Sequence, residues 1–284
     1  MSEDIGPRTP GSAATVAPEM VPFGTVFRLV FVHALRDLVR RRRLVFIAFA
    51  GLLPLLLTVL WRAEGMEVFT AQAFFSNLVG TLYLSILIYL VGLAFGIPTI
   101  HDEVEGRTIT YLLTRPISRV AVYSGRLAAV QVVAALILAL SLVLCFVFIV
   151  AGNFGTLNTE FLQQYANHVW IVLLATMVFT GLFAVFGVLF QRPLTWGVAY
   201  AFAWEGVVSK VPGQMQTWTL EFHVRNVMMR DDDVQGSMID FVRQLVLENP
   251  DVGPWTSVGI LVFALIAFSV IGGLIFGRRE YVVN

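Results

Sequence analysis

The side chains in this sequence whose types and spacing suit chemistry fall mainly in one stretch, His101-Asp-Glu-Val-Glu-Gly-Arg-Thr-Ile-Thr-Tyr-Leu-Leu-Thr-Arg-Pro-Ile-Ser-Arg119. Thr108 is placed to cap a short helix whose Ile109, Leu112 and Leu113 share one face, and Arg115-Pro116 stops it because the residue before proline avoids the helical region. The flanks are acidic at Asp102, Glu103 and Glu105 and basic at Arg107, Arg115 and Arg119. A two-turn helix with an apolar face and charged flanks suits docking into the groove of another protein, and by composition alone it suits lying on lipid headgroups equally well. The second candidate is Glu205, a carboxylate inside the apolar stretch Leu194 to Val208. At the centre of a membrane an ionised carboxylate costs about 2.5–3.5 kcal/mol on insertion scales, so it needs water or a partner. It is read here as part of a water-accessible pathway, with a boundary carboxylate at the headgroups beside Lys210 as the alternative.

The search for catalytic groups is mostly negative. His33, His101, His168 and His223 are dispersed over different segments, with no His-x-x-x-His pair and no carboxylate cluster at metal spacing. The lone lysine, Lys210, lies in Ser-Lys-Val, so the Gly-Lys-Ser/Thr of a phosphate loop is missing and ATP would have to be bound by another subunit. A Gly-x-Ser-x-Gly elbow is also missing. Met215, Met228, Met229 and Met238 near His223 resemble a soft copper site, but unbranched apolar side chains filling a packed segment explain them more simply. Cys145 is the single cysteine and forms no intrachain disulfide.

The elements that must hold these residues are membrane elements. Of 284 residues 57% are apolar and 13% charged, against roughly 25% charged in soluble chains, and the mean hydropathy is +0.79. A large extramembrane catalytic domain is excluded. Residues 1–22 lack an apolar run and are expected to be a disordered cytoplasmic tail. Residues 23–43 place Phe27, Val30, Phe31, Ala34 and Leu38 at helical spacing opposite Thr25, His33, Arg36 and Arg40, an amphipathic interfacial helix ending in four arginines. A helix packed on protein would show the same pattern.

Six apolar stretches follow in residues 44–284, at Leu44–Trp61, Leu78–Pro98, Leu127–Ala151, Val169–Phe190, Leu194–Val208 and Trp255–Gly277. With six spans and the N-terminus inside, the inner side carries 14 basic residues and the outer side 5, which fixes the N-terminus in the cytoplasm. The C-terminus is not fixed this way, because five spans would give 16 against 3. The fifth stretch is retained because it is too apolar for a loop, and because Arg278-Arg279 abut the last span. The outer connection 209–253 is expected to form a small cap. Its residues Thr217 to Arg225 alternate with period two, as a surface strand would, and Met238, Phe241, Val242 and Leu245 mark a short helix. Gly92-x-x-x-Gly96, Gly273-x-x-x-Gly277 and the small face of Thr176, Thr180 and Gly181 are assigned to helix packing.

On these residues the chain resembles a family. Glu103-x-Glu105-Gly-Arg-Thr108, then Leu112-Leu113-x-Arg115-Pro116-x-Ser118-Arg119, then Gly125-Arg126 is similar to the segment after the second span of type-2 ABC exporter permeases, most of all the multi-copper-enzyme maturation permease group. The basic amphipathic helix, the six spans, Trp204-Glu205 and the terminal Arg278-Arg279-Glu280 extend the resemblance over most of the chain. It departs in Arg107 before Thr108 and in Arg126 where lysine is common. The resemblance implies an all-α polytopic membrane protein that forms a translocation pathway as a dimer, with a second copy or a paralogue. It also implies separate cytoplasmic ATPase subunits coupled through the 99–126 loop, in a multi-pass plasma-membrane protein with no cofactor or nucleic acid of its own. An ion-gradient-driven carrier and an intramembrane enzyme are the alternatives. A carrier would show paired inverted repeats, which the sequence does not display.

Overall fold

The computed structural model describes residues 22–40, 43–63, 71–99, 118–151, 158–209, 211, 214–228 and 252–278. Among them the chain is helical and contains no strand. Helix α1 is Phe23–Arg40, α2 Arg43–Ala63, α3 Ala71–Gly96, α4 Arg119–Val150, α5 Thr159–Leu189, α6 Pro193–Ala199, α7 Leu220–Met228 and α8 Pro254–Arg278. Two stretches widen into π-helical turns, Val79–Leu87 within α3 and Tyr200–Val208 continuing α6. A 3₁₀ turn, Gln214–Trp218, precedes α7.

Helices α3, α4, α5 and α8 are long and apolar enough to cross a membrane. Helix α2 has 21 residues and Pro54 inside it. Proline leaves a carbonyl one turn back without its helical donor and tilts the axis. The fifth apolar stretch is a helix of seven residues and a π-helical run of nine, at most about 24 Å even at the α-helical rise of 1.5 Å per residue, short of a ~30 Å hydrocarbon core. Helix ends follow local chemistry. The Ser118 hydroxyl accepts from the Ala121 amide at the start of α4, and Asn158 Oδ1 accepts from the Phe161 amide at 2.7 Å at the start of α5. Pro193 and Pro254 occupy first turns, where a missing N–H costs nothing.

Helix α5 is central and packs against α3, α4, α6, α7 and α8. Its crossing with α3 depends on glycine. A Cβ on Gly96 would come 2.6 Å from the Thr180 carbonyl oxygen, and one on Gly187 would fall on the Ile97 carbonyl oxygen. The first Gly-x-x-x-Gly motif is therefore a close helix contact, as expected from its spacing. In the second, the tight position is the neighbouring Gly272, whose Cβ would overlap the Tyr123 hydroxyl, while Gly273 and Gly277 meet Val120 at ordinary distances. Tyr83, in the π-helical part of α3, bonds Ser141 of α4 at 2.8 Å, and Ser141 donates to the Gly51 carbonyl of α2 at 2.5 Å. Since that donation uses the serine proton, Tyr83 is the donor to Ser141.

Helix α1 lies along α4, burying Val26 and Ala34 where Gly125 lets the Phe27 carbonyl approach. Its apolar surface exceeds what α4 covers, since Phe23 and Leu29 stay 51% and 65% exposed. The expected strand over 217–225 is a correction. This segment is a 3₁₀ turn followed by helix α7, which buries Phe222, His223, Val224, Val227 and Met228. The alternation misleads because Glu221 and His223, polar by type, are buried as fully as the apolar residues between them, so a polar residue here does not mark the exposed side. Residues 1–21 of the expected tail (1–22) and the expected short helix (238–245) lie outside the described residues.

Candidate functional site

Of the two sites proposed from sequence, the one at Glu205 lies among the described residues. Glu205 stands in the π-helical run 200–208 and is fully buried. One carboxylate oxygen accepts from the Tyr200 hydroxyl at 2.6 Å and from the Leu220 amide at 3.1 Å. The other accepts from the Glu221 amide at 2.8 Å. Glu205 thus seats its charge on the N-terminus of α7, where the first amides lack helical partners and the helix dipole presents about half a positive charge. The next amide, Phe222, is met by the Thr219 hydroxyl at 3.3 Å. The solvation that Glu205 required is supplied by protein donors.

A second carboxylate adjoins it. Glu221, on the first turn of α7, accepts from the Tyr89 hydroxyl at 2.7 Å and from Arg225 Nε at 2.7 Å, and Arg225 also donates to the Ser85 hydroxyl at 2.7 Å. Tyr89 precedes Thr99, at the end of α3 that leads into the 100–117 connection, by about 15 Å along the helix at 1.5 Å per residue. Glu221 is therefore folded into the bundle. Ser85 lies in one π-helical run and Tyr200 and Glu205 in the other. Such runs widen the helix locally and occur preferentially at functional places.

A third limb ties α7 to α8. His223 Nε2 is 2.9 Å from the Thr217 carbonyl, which only accepts, so Nε2 carries the hydrogen. Nδ1 then accepts from the Ser257 hydroxyl at 3.0 Å, and that hydroxyl accepts from Asn226 Nδ2 at 2.9 Å. His223 lies in the connection outside the apolar spans, and burial holds its imidazole below the ordinary value, favouring the neutral form. The serine and histidine form no accessible nucleophile, because Ser257 is fully buried. Of the methionines, Met228 is buried in the core while Met215 is exposed, and both His223 nitrogens are engaged. Among the described residues no group of three His, Cys, Asp or Glu side chains is gathered for a metal.

Glu103, Glu105, Arg107, Thr108, Leu112, Leu113 and Arg115 lie outside the described residues, and Arg119 is the first residue of α4. The frame of the loop is described. Arg126 Nη1 donates to the Thr99 carbonyl at 3.1 Å, placing a cation on the C-terminal end of α3 just where the loop departs. Gly125 beside it admits α1, with Phe27 O 2.9 Å from a would-be Cβ. The Gly125-Arg126 pair thus joins α1, α3 and α4 around the base of the loop, above a small cleft lined by Asp37, Leu38, Phe95, Pro98 and Arg126.

Sequence reasoning singled out Glu205 but not the groups that meet it. Glu221 and Arg225 carried a signal, an i,i+4 acid–base pair, which the strand assignment concealed. Tyr89 and Ser85 carried none, being single polar residues within a span.

Residues 39–204 match the family described as ABC-2 family transporter protein, well over half of the chain. The chain belongs to the ABC-2 transporter family. No curated protein matches it. The matched region runs from the end of α1 to Trp204, so it contains the 100–117 connection and stops one residue before Glu205. It carries the family and not the maturation-permease group within it. As an ABC-2 family member the protein is a multi-pass membrane permease of an ABC transporter, a transport component rather than an enzyme.

Proposed function

We propose that this ABC-2 permease is the membrane half of an ATP-driven exporter in the plasma membrane, forming its pathway with a second copy or a paralogue. Separate cytoplasmic ATPase subunits bind the ATP and drive it through Glu103 to Arg119. The observation that supports coupling there is the frame of the loop. Arg126 on the Thr99 carbonyl and Ser118 capping α4 fix the two ends where they leave the bundle. A push on the loop is then delivered to α3 and α4 together, and through Gly96 and Gly187 to α5. Glu205 and its partners form the other half of the proposal, a polar interior in the part of the bundle through which a substrate would pass.

The test replaces Leu112 and Leu113 together with Asp and asks whether the ATPase still copurifies. Loss of the ATPase with unchanged yield and melting of the permease is expected. A complex that survives the double change would show that the loop is not the coupling element.

A further inference from the structure

We propose that the outer half of the 193–208 segment is a strap, hinged at residues 190–192, pivoting on Gly197, and latched shut by Glu205 seated on the N-terminus of α7. This deepens the permease reading by naming the part that moves when the polar interior opens.

The segment is held along one line. Its buried positions, Pro193, Gly197, Ala201 and Glu205, recur every fourth residue, while Leu194, Trp196, Phe202 and Val207 between them are exposed, Phe202 by 71%. Spacing of four on a helix makes a ridge one residue wide. At the inner end of that ridge the chain is non-helical. Phe190 is extended, with φ −100° and ψ 148°, and Arg192 has φ −121° and ψ 69°. Two such residues between α5 and Pro193 can absorb a rotation without breaking either helix.

The next contact is the closest. A Cβ on Gly197 would come 2.5 Å from Leu93 Cδ2 and 3.5 Å from the Phe183 ring, so the strap bears on α3 and α5 at this point. No helix among the described residues packs broadly along it beyond Ala199. Among the described residues, what holds the outer half is the Tyr200 ring edge-on to Phe183 and Phe186, the small Ala201, and the carboxylate of Glu205. Of these, Glu205 is the one whose bonds to α7 are described.

That bond is strong when closed and releasable as a unit. All three donors, two amides and a phenol, converge on one carboxylate, and its position on a helix N-terminus stabilises the charge. When the strap swings out, the carboxylate exchanges these donors for water, and beside the Phe183 and Phe186 rings it uncovers polar groups: the first amides of α7 and, behind them, Tyr89, Glu221 and Arg225. An apolar seam would instead expose hydrocarbon on opening, and nothing would favour water entering there.

The experiment reads accessibility and needs no ATPase, so its failure and failure of the coupling proposal are distinct results. In full-length protein in lipid nanodiscs, Cys145 is replaced by Ala and a single reporter thiol, Ala201→Cys, is placed on the buried line of the strap. A matched protein carries a control thiol, Ala134→Cys, in the core of α4, a site equally closed. Reaction with a water-soluble methanethiosulfonate is timed with and without Glu205→Gln, and again with Tyr200→Phe, which removes one donor and keeps the ring. At least tenfold faster labelling of the strap thiol in the Glu205→Gln protein is expected, with a smaller acceleration for Tyr200→Phe and slow labelling of the control thiol throughout. Equal rates at the strap thiol in all three backgrounds would overturn the latch. Parallel acceleration at the strap and control thiols in both variants would also overturn it, since Glu205 would then hold the whole fold and not the strap.

Discussion

Removing the guanidinium of Arg225 should be among the most destabilising single changes in the described structure. Glu221 is 2% exposed and Arg225 24%, and their closest approach is 2.6 Å. In the Arg225→Met protein Glu221 keeps the Tyr89 hydroxyl and loses its cation, and Ser85 loses a donor. Stranding one partner of a buried ion pair costs about 3–5 kcal/mol, and because a quarter of Arg225 reaches solvent the lower end applies, about 3 kcal/mol. Glu221→Gln removes the opposite charge but leaves an amide oxygen for Tyr89, a loss of about 1–2 kcal/mol. The double variant buries no ion in this pair and should cost no more than the Gln change alone, so the cycle closes with a coupling of about 3 kcal/mol. At roughly 2–4 °C per kcal/mol for a chain of this size, Arg225→Met melts about 6–12 °C below the parent and the double variant within about 2–8 °C of it. The assay is thermal unfolding of the purified permease in nanodiscs, all four proteins side by side. A double variant that melts as low as the sum of the two single losses would refute the reasoning, for the pair would then contribute independent packing and no shared electrostatics.

Three other outcomes follow from the same geometry. Gly187→Ala should lower the melting temperature by an amount equivalent to about 1–3 kcal/mol, because the new methyl meets the Ile97 carbonyl, a backbone atom that has nowhere to move; an unchanged melt would show that the α3–α5 crossing is loose. His223 should make stability depend on pH. Its folded imidazole resists a proton that the unfolded chain takes up below about 6.5, so the unfolded state binds more protons there and melting temperature should fall as pH drops from 7 to 5, with a smaller fall in His223→Asn. A reporter active only in the cytoplasm, fused after Asn284, should be active if the 193–208 segment crosses the membrane, and an expressed but inactive reporter would place 209–253 inside.

Much of the frame was legible because membrane helices write their own signal. Apolar runs gave α3, α4, α5 and α8, although the helices extend past the apolar runs, α4 beginning at Arg119 and α5 at Thr159, since caps at Ser118 and Asn158 and not hydropathy set those ends. Small-residue spacing gave Gly92 and Gly96 their role. The register of Gly272 was hidden because a tight position depends on which large residue faces it, here Tyr123, and that is a tertiary fact. Helix α7 was misread for a related reason. Periodicity reports burial only when polar residues face water, and in α7 Glu221 and His223 are satisfied by Tyr89, Arg225, Ser257 and the Thr217 carbonyl, so polarity no longer marks the outside.

The same fact bears on function. A membrane helix bundle whose only task is to stay folded gains little from two buried carboxylates, because polar contacts between helices in lipid are worth about 0.6 kcal/mol on average and an ion there is costly. Here Glu205 and Glu221 are met by Tyr200, Tyr89, Arg225 and two amides, donors drawn from α3, α7 and the 200–208 run. Apolar side chains would fill that space at less cost, so packing alone does not account for the arrangement. What the charges add is a joint between segments that stays closed when dry and is solvated when it parts, which an apolar contact between the same helices would not provide.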